Sequence, residues 1–584
     1  MIPFIFLCVA LGWQAIGWSE IATADLKQEI AQFTKEEMTA HLEAIPGYDP
    51  PPESVLGALT TGDYSWGSFM HALAALQKKE TARAIAEMGL IEARKGSKAF
   101  SQLYAALALR QFGTDLKQNA IWQSMNSREQ AEWRSLLQLS RFYDKKLQQV
   151  IDLPENYLGV AARIGAVCYQ MGIFKNRVLR DLLIERACQQ FLEGAIYADD
   201  FPPTGRYDRY SNEFARFCWD AAAVAERADL LEKLKPTLKQ QIQLWWDLIN
   251  NKGYGYNWGR TQGLTGYLDT LEICTFVGQY AQFRPAPLAD IASVYQAAWR
   301  SLAKEYDRKR HLFRIFEHGK GHYTYINPTR EWQQTTQALG KLILTSSAFI
   351  KVLEKEKVKC VQEEPHFNPV ARFQFFNKTK NKQSGVWIIR QGKLAFTLPI
   401  TTGPQPGIAD YLPAPFGLSA LAMPVEEIYP ALVPFLTLAD KETYVASEGA
   451  NRIQPSADGN SLTVAWCNWG KIGSLRGETF RTGLTSVVKF AIRDNQIIRH
   501  ETLTADKKMT VKRWKVAFPL TLKADINIQV KADWQVEKSL FKPGKGRLGK
   551  SPLGPLPQHV IYEARDISFQ KGESRSWECV LEVQ

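Results

Sequence analysis

Three groups of polar and aromatic residues lie where helical patterns break, and their side chains suit chemistry on a hydroxylated, acidic ligand. In Pro154–Gly159, Asn156 stands where the N-cap of a helix is expected. Pro202–Phe214 brings two tyrosines, two arginines and two acids into the start of another helix. In Gly253–Gly263, glycines permit close backbone approach, aromatic rings offer stacking faces, and Arg260 suits bidentate binding of a carboxylate.

Each group also has a structural interpretation that the sequence leaves open. Asn156 could serve only as a helix cap, Pro202–Phe214 could be a solvated helix start, and Gly253–Gly263 could be an interhelix turn. A lesser group, His318–Tyr325, contains His322, a second-rank candidate for substrate binding. Histidines four residues apart on a loop are poor evidence for a metal site, so we expect no metal and no other cofactor.

Composition favours an anionic partner. The chain has 584 residues, 45% of them hydrophobic, and this length predicts two or more large domains. Its net charge of +12 favours nucleic acid, an acidic membrane or an acidic glycan. Because no dense basic run or zinc-finger spacing is present, we expect no nucleic acid, and an acidic polysaccharide or oligosaccharide fits better. The 17 tryptophans, 21 tyrosines and 29 phenylalanines suit either large cores or sugar stacking.

The N-terminus has the pattern of an export signal. An apolar run from Ile2 to Ile16 leads to Ala22-Thr23-Ala24, which predicts a signal peptide over residues 1–24 and cleavage before Asp25. No later segment approaches the roughly 20 apolar residues that span a bilayer, so we expect no stable membrane insertion after cleavage. The predicted location is therefore periplasmic or extracellular.

The periodicity changes once along the chain. Over residues 25–356, apolar residues recur every three or four positions between short breaks, which predicts about a dozen helices in antiparallel pairs. Six such pairs closing on themselves form an (α/α)6 toroid. Over residues 357–584, short alternating runs such as Leu462–Trp466 and Thr510–Phe518 predict an antiparallel β-sandwich. The expected fold is multidomain, α then β.

The order of these groups resembles a known superfamily. Asn156-Tyr157, then the segment Arg206–Asn212, then Gly259-Arg260, on a toroid followed by a β-sandwich, looks like the heparinase II/III-like and alginate-lyase-like polysaccharide lyases. It also resembles a related bacterial toroid family, long classed as a domain of unknown function, that includes exo-acting glucuronidases.

The resemblance implies β-elimination at a uronic acid. It assigns Asn156 to neutralising the uronate carboxylate and Tyr207 or Tyr210 to acting as base and acid. The implied carboxylate clamps are Arg206, Arg209 and Arg260, and the further substrate-binding candidates are Tyr256, Asn257, Trp258 and His322. The sequence departs from the lyase pattern because no histidine lies between Ala72 and Arg310.

That departure keeps two other functions open. An exo-acting, glucuronidase-like glycoside hydrolase needs two carboxyl groups about 5 to 9.5 Å apart. The candidates for such a pair are Asp208, Glu213, Asp269, Glu272 and Glu331. Asp208, within the tyrosine-rich segment, is also a catalytic candidate. The third possibility is a glycan-binding envelope protein without catalysis.

Overall fold

The structure, a computed structural model, describes most of the chain from residue 20 onward. The described residues are 20–33, 36–37, 40–41, 65–96, 98–151, 153, 155–194, 207–250, 253, 255–256, 258–259, 263–314, 328–362, 364–401, 403, 405–424, 430–475, 477–522, 525–551 and 553–584. Among them, no helix is both long and apolar enough to cross a bilayer.

The helices occupy the first part of the chain. They are α1 (Thr23–Phe33), α2 (Ser65–Ala75), α3 (Ala82–Lys95), α4 (Ala99–Gln111), α5 (Ala120–Gln123), α6 (Ser127–Leu136), α7 (Glu155–Gln170), α8 (Arg177–Gly194), α9 (Arg209–Val224), α10 (Ala228–Leu248), α11 (Gly263–Gln279), α12 (Leu288–Lys304) and α13 (Pro328–Lys355). Helix α6 ends at Leu136, because the chain turns there and buries Leu139 and Phe142.

Six of these helices form a closed inner ring. Helix α2 contacts α4, and the contacts continue through α7, α9, α11 and α13 back to α2. Gly340 permits the closure, because a Cβ there would lie 2.9 Å from the Cα of Ala72. The inner helix α4 is buried on every face from Ala99 to Leu109, as expected of a helix enclosed by neighbours. The predicted (α/α)6 toroid is confirmed.

The strands lie mainly after the toroid. They are β1 (Glu20–Ala22), β2 (Tyr143–Asp144), β3 (Gln149–Val150), β4 (Tyr306–Asp307), β5 (Leu312–Phe313), β6 (Cys360–Gln362), β7 (Val370–Asn377), β8 (Ser384–Gln391), β9 (Leu394–Ile400), β10 (Phe435–Thr437), β11 (Thr443–Val445), β12 (Arg452–Pro455), β13 (Ser461–Trp466), β14 (Gly470–Lys471), β15 (Leu484–Arg493), β16 (Gln496–Ala505), β17 (Met509–Leu520), β18 (Ile526–Ala532), β19 (Glu537–Phe541), β20 (Lys550–Ser551), β21 (Gly554–Pro555), β22 (Gln558–Phe569) and β23 (Ser574–Val583).

Two six-stranded antiparallel sheets make up the β-sandwich. Their strand orders are β14-β11-β10-β17-β22-β19 and β12-β13-β15-β16-β23-β18, and β7-β8-β9 form a third sheet. Strand β13 alternates between buried and half-buried residues, the period of two expected where one face of a strand meets a core. The core of the sandwich includes the buried side chains of Trp466, Trp514 and Trp577. The predicted antiparallel sandwich is confirmed.

The three-stranded sheet joins the sandwich to the toroid. Arg372 of β7 forms an ion pair with Asp247 of α10 at 2.7 Å. Arg390 of β8 donates hydrogen bonds to the carbonyl oxygens of Trp246 and Ile249, and burial lowers its pKa to about 10. These contacts fix the sheet against the ring.

The predicted signal peptide overlaps the folded part of the chain. Strand β1 pairs with β6, and Thr23 Oγ1 donates a hydrogen bond to the carbonyl oxygen of Val358 at 2.8 Å. Cleavage before Asp25 would remove β1 and the first two residues of α1. The predicted cleavage position therefore has a structural consequence that a measurement of the mature N-terminus can test.

Candidate active site

The groups singled out in the sequence all precede inner helices. Pro154–Gly159 leads into α7, Pro202–Phe214 into α9, Gly253–Gly263 into α11 and His318–Tyr325 into α13. Each inner helix follows an antiparallel outer helix, so the six inner helices point the same way and begin at one end of the ring. We call this end the mouth and define it by Asn156, Asp208, Tyr210 and Trp258.

The mouth faces the β-sandwich. Tyr411, from the segment after β9, places its hydroxyl 3.5 Å from Asp208 Oδ2. Gly259 has a φ of +58°, and a Cβ there would lie 3.1 Å from the Tyr411 ring. Glycine is required here both for its backbone conformation and for this close approach. Tyr411 was not identified from the sequence, because nothing near it indicates contact with a helix some 200 residues earlier.

Asn156 and Tyr210 lie on neighbouring inner helices. Helix α7 begins at Glu155, so Asn156 lies in its first turn and not at the expected N-cap position. Tyr210 is the second residue of α9, and both side chains are buried at the mouth. One turn further along, α7 and α9 are in close contact, since a Cβ on Gly159 would lie 2.6 Å from the Phe214 ring. Asn156 and Tyr210 therefore lie in the first turns of two adjacent inner helices.

Tyr207 occupies a different environment. Its ring is fully buried against Tyr256, Trp258 and Phe376, with ring centroids 5.4 to 6.3 Å apart. Its hydroxyl donates a hydrogen bond to Asn212 Oδ1 at 2.9 Å. Burial, followed by the charge of Asp269, raises the pKa of Tyr207 well above its ordinary value. Deprotonating this phenol is correspondingly unfavourable.

Asp208 and Arg209 form the start of α9. Asp208 is its N-cap, accepting a hydrogen bond from the Tyr210 backbone N–H at 2.9 Å, and with Ser211 it forms a capping box. Arg209 lies 3.8 Å from Glu213 Oε1, and its guanidinium lies 5.2 Å from the centroid of the Tyr210 ring. A buried positive charge is therefore held beside Tyr210.

Other predicted substrate-binding residues divide into two sets. Tyr256 and Trp258 are buried and pack in the aromatic cluster around Tyr207, with Thr397 of β9 contacting the Tyr256 backbone oxygen at 3.4 Å. The candidates outside the described residues are Arg206, Asn257, Arg260 and His322.

A buried ion network lies inside the ring below the mouth. Lys341 of α13 is 3.5 Å from Glu213 Oε1 and 3.1 Å from Glu272 Oε1. Arg216 of α9 binds Glu272 at 3.3 Å and Asp269 at 3.6 Å. Asp269 in turn accepts a hydrogen bond from the Asn212 side chain at 3.1 Å. The network thus connects Arg209 and Tyr207 at the mouth with the interior of the ring.

The network holds its acids in different states. Burial raises the pKa of Asp269 to about 7, although Arg216 and Arg209 oppose the shift. Burial also favours the neutral form of Glu272, but Lys341 and Arg216 outweigh it and hold the pKa of Glu272 well below its usual range. Glu272 is therefore a firmly ionised carboxylate.

This state bears on the hydrolase alternative. Glu213 and Glu272 both bind Lys341, so they form a carboxylate pair inside the ring. A glycosidase acid needs a raised pKa, whereas Glu272 has a lowered one. Asp269 does have a raised pKa, but it is buried inside the ring and accepts a hydrogen bond from the Asn212 side chain. Of the remaining carboxylate candidates, Asp208 caps helix α9 and Glu331 lies in the first turn of α13.

The interior of the ring opens into a cavity of about 640 Å³ at the end opposite the mouth. His71 of α2 and Tyr104 of α4 line it with their ring centroids 5.2 Å apart, and Gln337 donates a hydrogen bond to the Tyr104 hydroxyl at 2.7 Å. Burial, aided by Arg163 and Lys341, lowers the pKa of His71 to about 3. His71 is therefore neutral at neutral pH.

His71, Tyr104, Arg216 and Lys341 were not predicted from the sequence as site residues. Arg216 could have been recognised from its spacing, because Arg209, Glu213 and Arg216 lie along a single helical face. Charged residues at helical spacing usually lie on a solvated face, so this spacing points to a buried ion network only once α9 is known to be an inner helix.

The architecture places the chain in a recognised fold class, the α-helical toroid followed by an antiparallel β-sandwich. No family model matches the sequence, and no curated protein matches it in sequence. The structure is similar to that of heparinase III, with a TM-score of 0.53 and 11% identity, over 92% of this chain and 79% of that chain.

Two further solved structures are similar to it. One is the chondroitin AC lyase of Streptomyces coelicolor A3 in complex with chondroitin sulphate, with a TM-score of 0.46 and 11% identity over 96% of this chain and 80% of that chain. The other is a mutant of the heparan sulfate lyase HepC from Pedobacter heparinus, with a TM-score of 0.44 and 10% identity over 96% and 88%. Since these TM-scores lie below 0.5, the argument on fold rests on heparinase III.

Proposed function

We propose that this protein is a polysaccharide lyase that cleaves uronate-containing polysaccharide or oligosaccharide by β-elimination. The observation that carries the proposal is the placement of Asn156, Arg209 and Tyr210 at one mouth of a toroid that shares the heparinase III fold. The net charge of +12 supports an acidic substrate. The six inner helices also favour an acidic substrate, because the N-terminus of each carries about +0.5 elementary charge at the mouth.

The reaction needs a base and an electrostatic partner for the uronate carboxylate. The base removes the proton at C5, the C4–O bond breaks, a C4–C5 double bond forms, and an acid protonates the departing oxygen. We assign Asn156 to the carboxylate, where an amide donor stabilises the charge that develops as the C5 proton leaves. Arg206, Arg260 and His322, which lie outside the described residues, remain proposed substrate contacts.

Tyr210 is the proposed base and acid. An unperturbed tyrosine has a pKa of about 10, and a neighbouring cation favours the phenolate. Arg209 supplies that cation above the Tyr210 ring. Tyr207 is the weaker candidate, because its hydroxyl is committed to Asn212 and its pKa is raised by burial. We propose that Tyr207 instead supports the start of α9 from behind.

Substitution of the two tyrosines tests the assignment. Tyr210→Phe should lower the turnover of uronate polysaccharide by about 10²- to 10⁴-fold, the usual contribution of a positioned proton-transfer group. Tyr207→Phe should retain most turnover per folded molecule. The matched control is Tyr169→Phe, at the far end of α7 beneath Arg180. Near-normal turnover in Tyr210→Phe would overturn the assignment of the base.

We also propose that the protein is exported to the periplasm or beyond. The support is the apolar run and Ala-Thr-Ala sequence at the N-terminus. Intact mass measurement on protein recovered from the cell envelope should show an N-terminus at Asp25. A chain that retains Glu20–Ala22 would place cleavage upstream of β1, and an unprocessed cytoplasmic chain would contradict export.

A further inference from the structure

The cavity at the far end of the ring does not include the residues that define the mouth. Its lining residues come from the middle and the C-terminal parts of inner helices, and those nearest the far end include Arg110 of α4, Asp220 of α9 and Lys351 of α13. The proposed catalytic residues Asn156 and Tyr210 are at the opposite ends of their helices and do not line it. At about 640 Å³, the cavity lies within the range of small-molecule sites, about 300 to 1,000 Å³.

The floor and the rim of this cavity differ in charge. On the floor, Lys341 and Arg216 are balanced by Glu213 and Glu272. The rim has four cations and one acid, which are Arg110, Arg163, Lys351, Lys355 and Asp220. The rim is therefore positive by three charges.

Arg110 is the most informative rim residue. It is half-buried in the last turn of α4, and its side chain makes no hydrogen bond or ion pair with any residue that the structure describes, although the charge of Asp220 favours the charged guanidinium. Arg163 nearby is already paired with Asp220 at 3.1 Å. Burial, followed by repulsion from Arg163, lowers the pKa of Arg110. An anion placed beside this partly desolvated guanidinium would favour its charged form and compensate for the solvation that burial removes.

Beside these cations the cavity has an apolar wall. It includes Phe217, whose ring lies 4.9 Å from the Arg163 guanidinium, and Phe276. Charged rim and apolar wall together suit a small organic molecule with an anionic group at one end. They do not suit a neutral sugar, which would offer no charge to Arg110 or to the rim lysines.

We propose that this cavity is a second binding site, specific for a small organic oxyanion whose carboxylate or phosphate contacts Arg110 and Arg163. The site is distinct from the mouth and does not depend on the proposed lyase activity. Carboxylate and phosphate are both recognised by paired guanidinium groups, so the test must separate them.

Calorimetric titration of the full chain tests the proposal. The probes are glucuronate, inorganic phosphate and, as a neutral match for glucuronate, glucose. We expect saturable binding of at least one anion with a Kd of about 1 mM or lower, and no measurable binding of glucose. Binding of glucuronate without binding of phosphate would show that the site selects a carboxylate on an organic molecule. Binding of both anions would show that the site recognises oxyanions in general.

Variants assign the binding to this cavity. Arg110→Gln should weaken anion binding by about tenfold or more, whereas its ligand-free melting temperature should stay close to that of the parent, because the Arg110 side chain makes no hydrogen bond or ion pair with the described residues. Arg565→Gln, an equal charge change on the exposed surface of the sandwich, should bind normally. Tyr210→Phe should also bind normally, which separates this site from the mouth. Absence of saturable anion binding, or equal affinity in Arg110→Gln and the parent, would overturn the proposal.

Discussion

Lys341→Met tests whether the buried ion network holds the ring together. The Lys341 ammonium is buried and lies 3.1 Å from Glu272 and 3.5 Å from Glu213. At an effective dielectric constant of 20, each pair attracts by about 5 kcal/mol, and most of this is offset by desolvation. Removing Lys341 leaves two buried carboxylates without the charge that compensates for their desolvation. We therefore expect the free energy of unfolding to fall by about 3–5 kcal/mol.

The loss should depend on pH in a defined direction. Lys341 lowers the pKa of Glu272 in the folded protein below its unfolded value. The stabilisation from this pair is therefore fully present above the unfolded pKa of about 4.3 and is lost as pH falls through the folded pKa. In Lys341→Met the carboxylate can become protonated near its ordinary pKa or above it. The difference between parent and variant should thus be largest near pH 7 and smaller near pH 4.

The assay is urea denaturation followed by the helical circular dichroism signal, which reports on the toroid. The matched control is Lys351→Met, ten residues along the same helix, where the side chain is exposed and the expected change is within about 0.5 kcal/mol. Adding Glu272→Gln to Lys341→Met should recover part of the loss. If Lys341→Met costs no more than Lys351→Met, the network does not stabilise the ring as described.

Three further predictions concern single residues near the mouth. Because burial raises the pKa of Asp269 to about 7, the folded protein keeps a proton that the unfolded chain releases above about pH 4, so stability should fall as pH rises from 4 to 7. Asp269→Asn should flatten that decline in urea titrations at pH 5 and 8, and an unchanged slope would contradict the assignment. Gly259→Ala should cost about 1–3 kcal/mol in thermal or urea unfolding, since φ is positive and the new Cβ meets the Tyr411 ring; a neutral result would contradict this close packing. Tyr207→Phe should cost about 1–3 kcal/mol by leaving the buried Asn212 amide oxygen without its donor, and unchanged stability would show that this hydrogen bond contributes little.

The fold was accessible from sequence because periodicity differs so clearly between the two parts of the chain. Apolar residues three or four positions apart indicated the helices of the toroid, and the alternation in β13 indicated a half-buried strand. That α4 is an enclosed inner helix follows only from the structure, because its sequence includes Ser101 and Gln102, which are also buried. Element boundaries were less accessible. The end of α6 at Leu136 depends on where the chain turns to bury Phe142, which is a tertiary effect.

The candidate site was accessible only in part. The crowding of aromatic and charged residues before α7, α9 and α11 indicated which loops to examine, and ring topology brings the starts of those helices to one mouth. Sequence could not separate Tyr207 from Tyr210, because their burial and partners depend on the sandwich as well as the ring. It also could not place His71 beside Lys341, since that contact requires closure of the ring by helices 270 residues apart.

Elimination and hydrolysis are distinguished by digesting uronate polysaccharides, including heparan sulfate and chondroitin sulfate, in water enriched in heavy oxygen and analysing the products by mass spectrometry. Elimination adds no water across the broken bond. We therefore expect products that carry an unsaturated terminal uronate. Each such product has a mass one water lower than the corresponding hydrolysis product and contains no heavy oxygen from the cleavage step. Saturated products that incorporate one heavy oxygen at each cleaved bond would contradict the lyase assignment and identify the protein as a hydrolase.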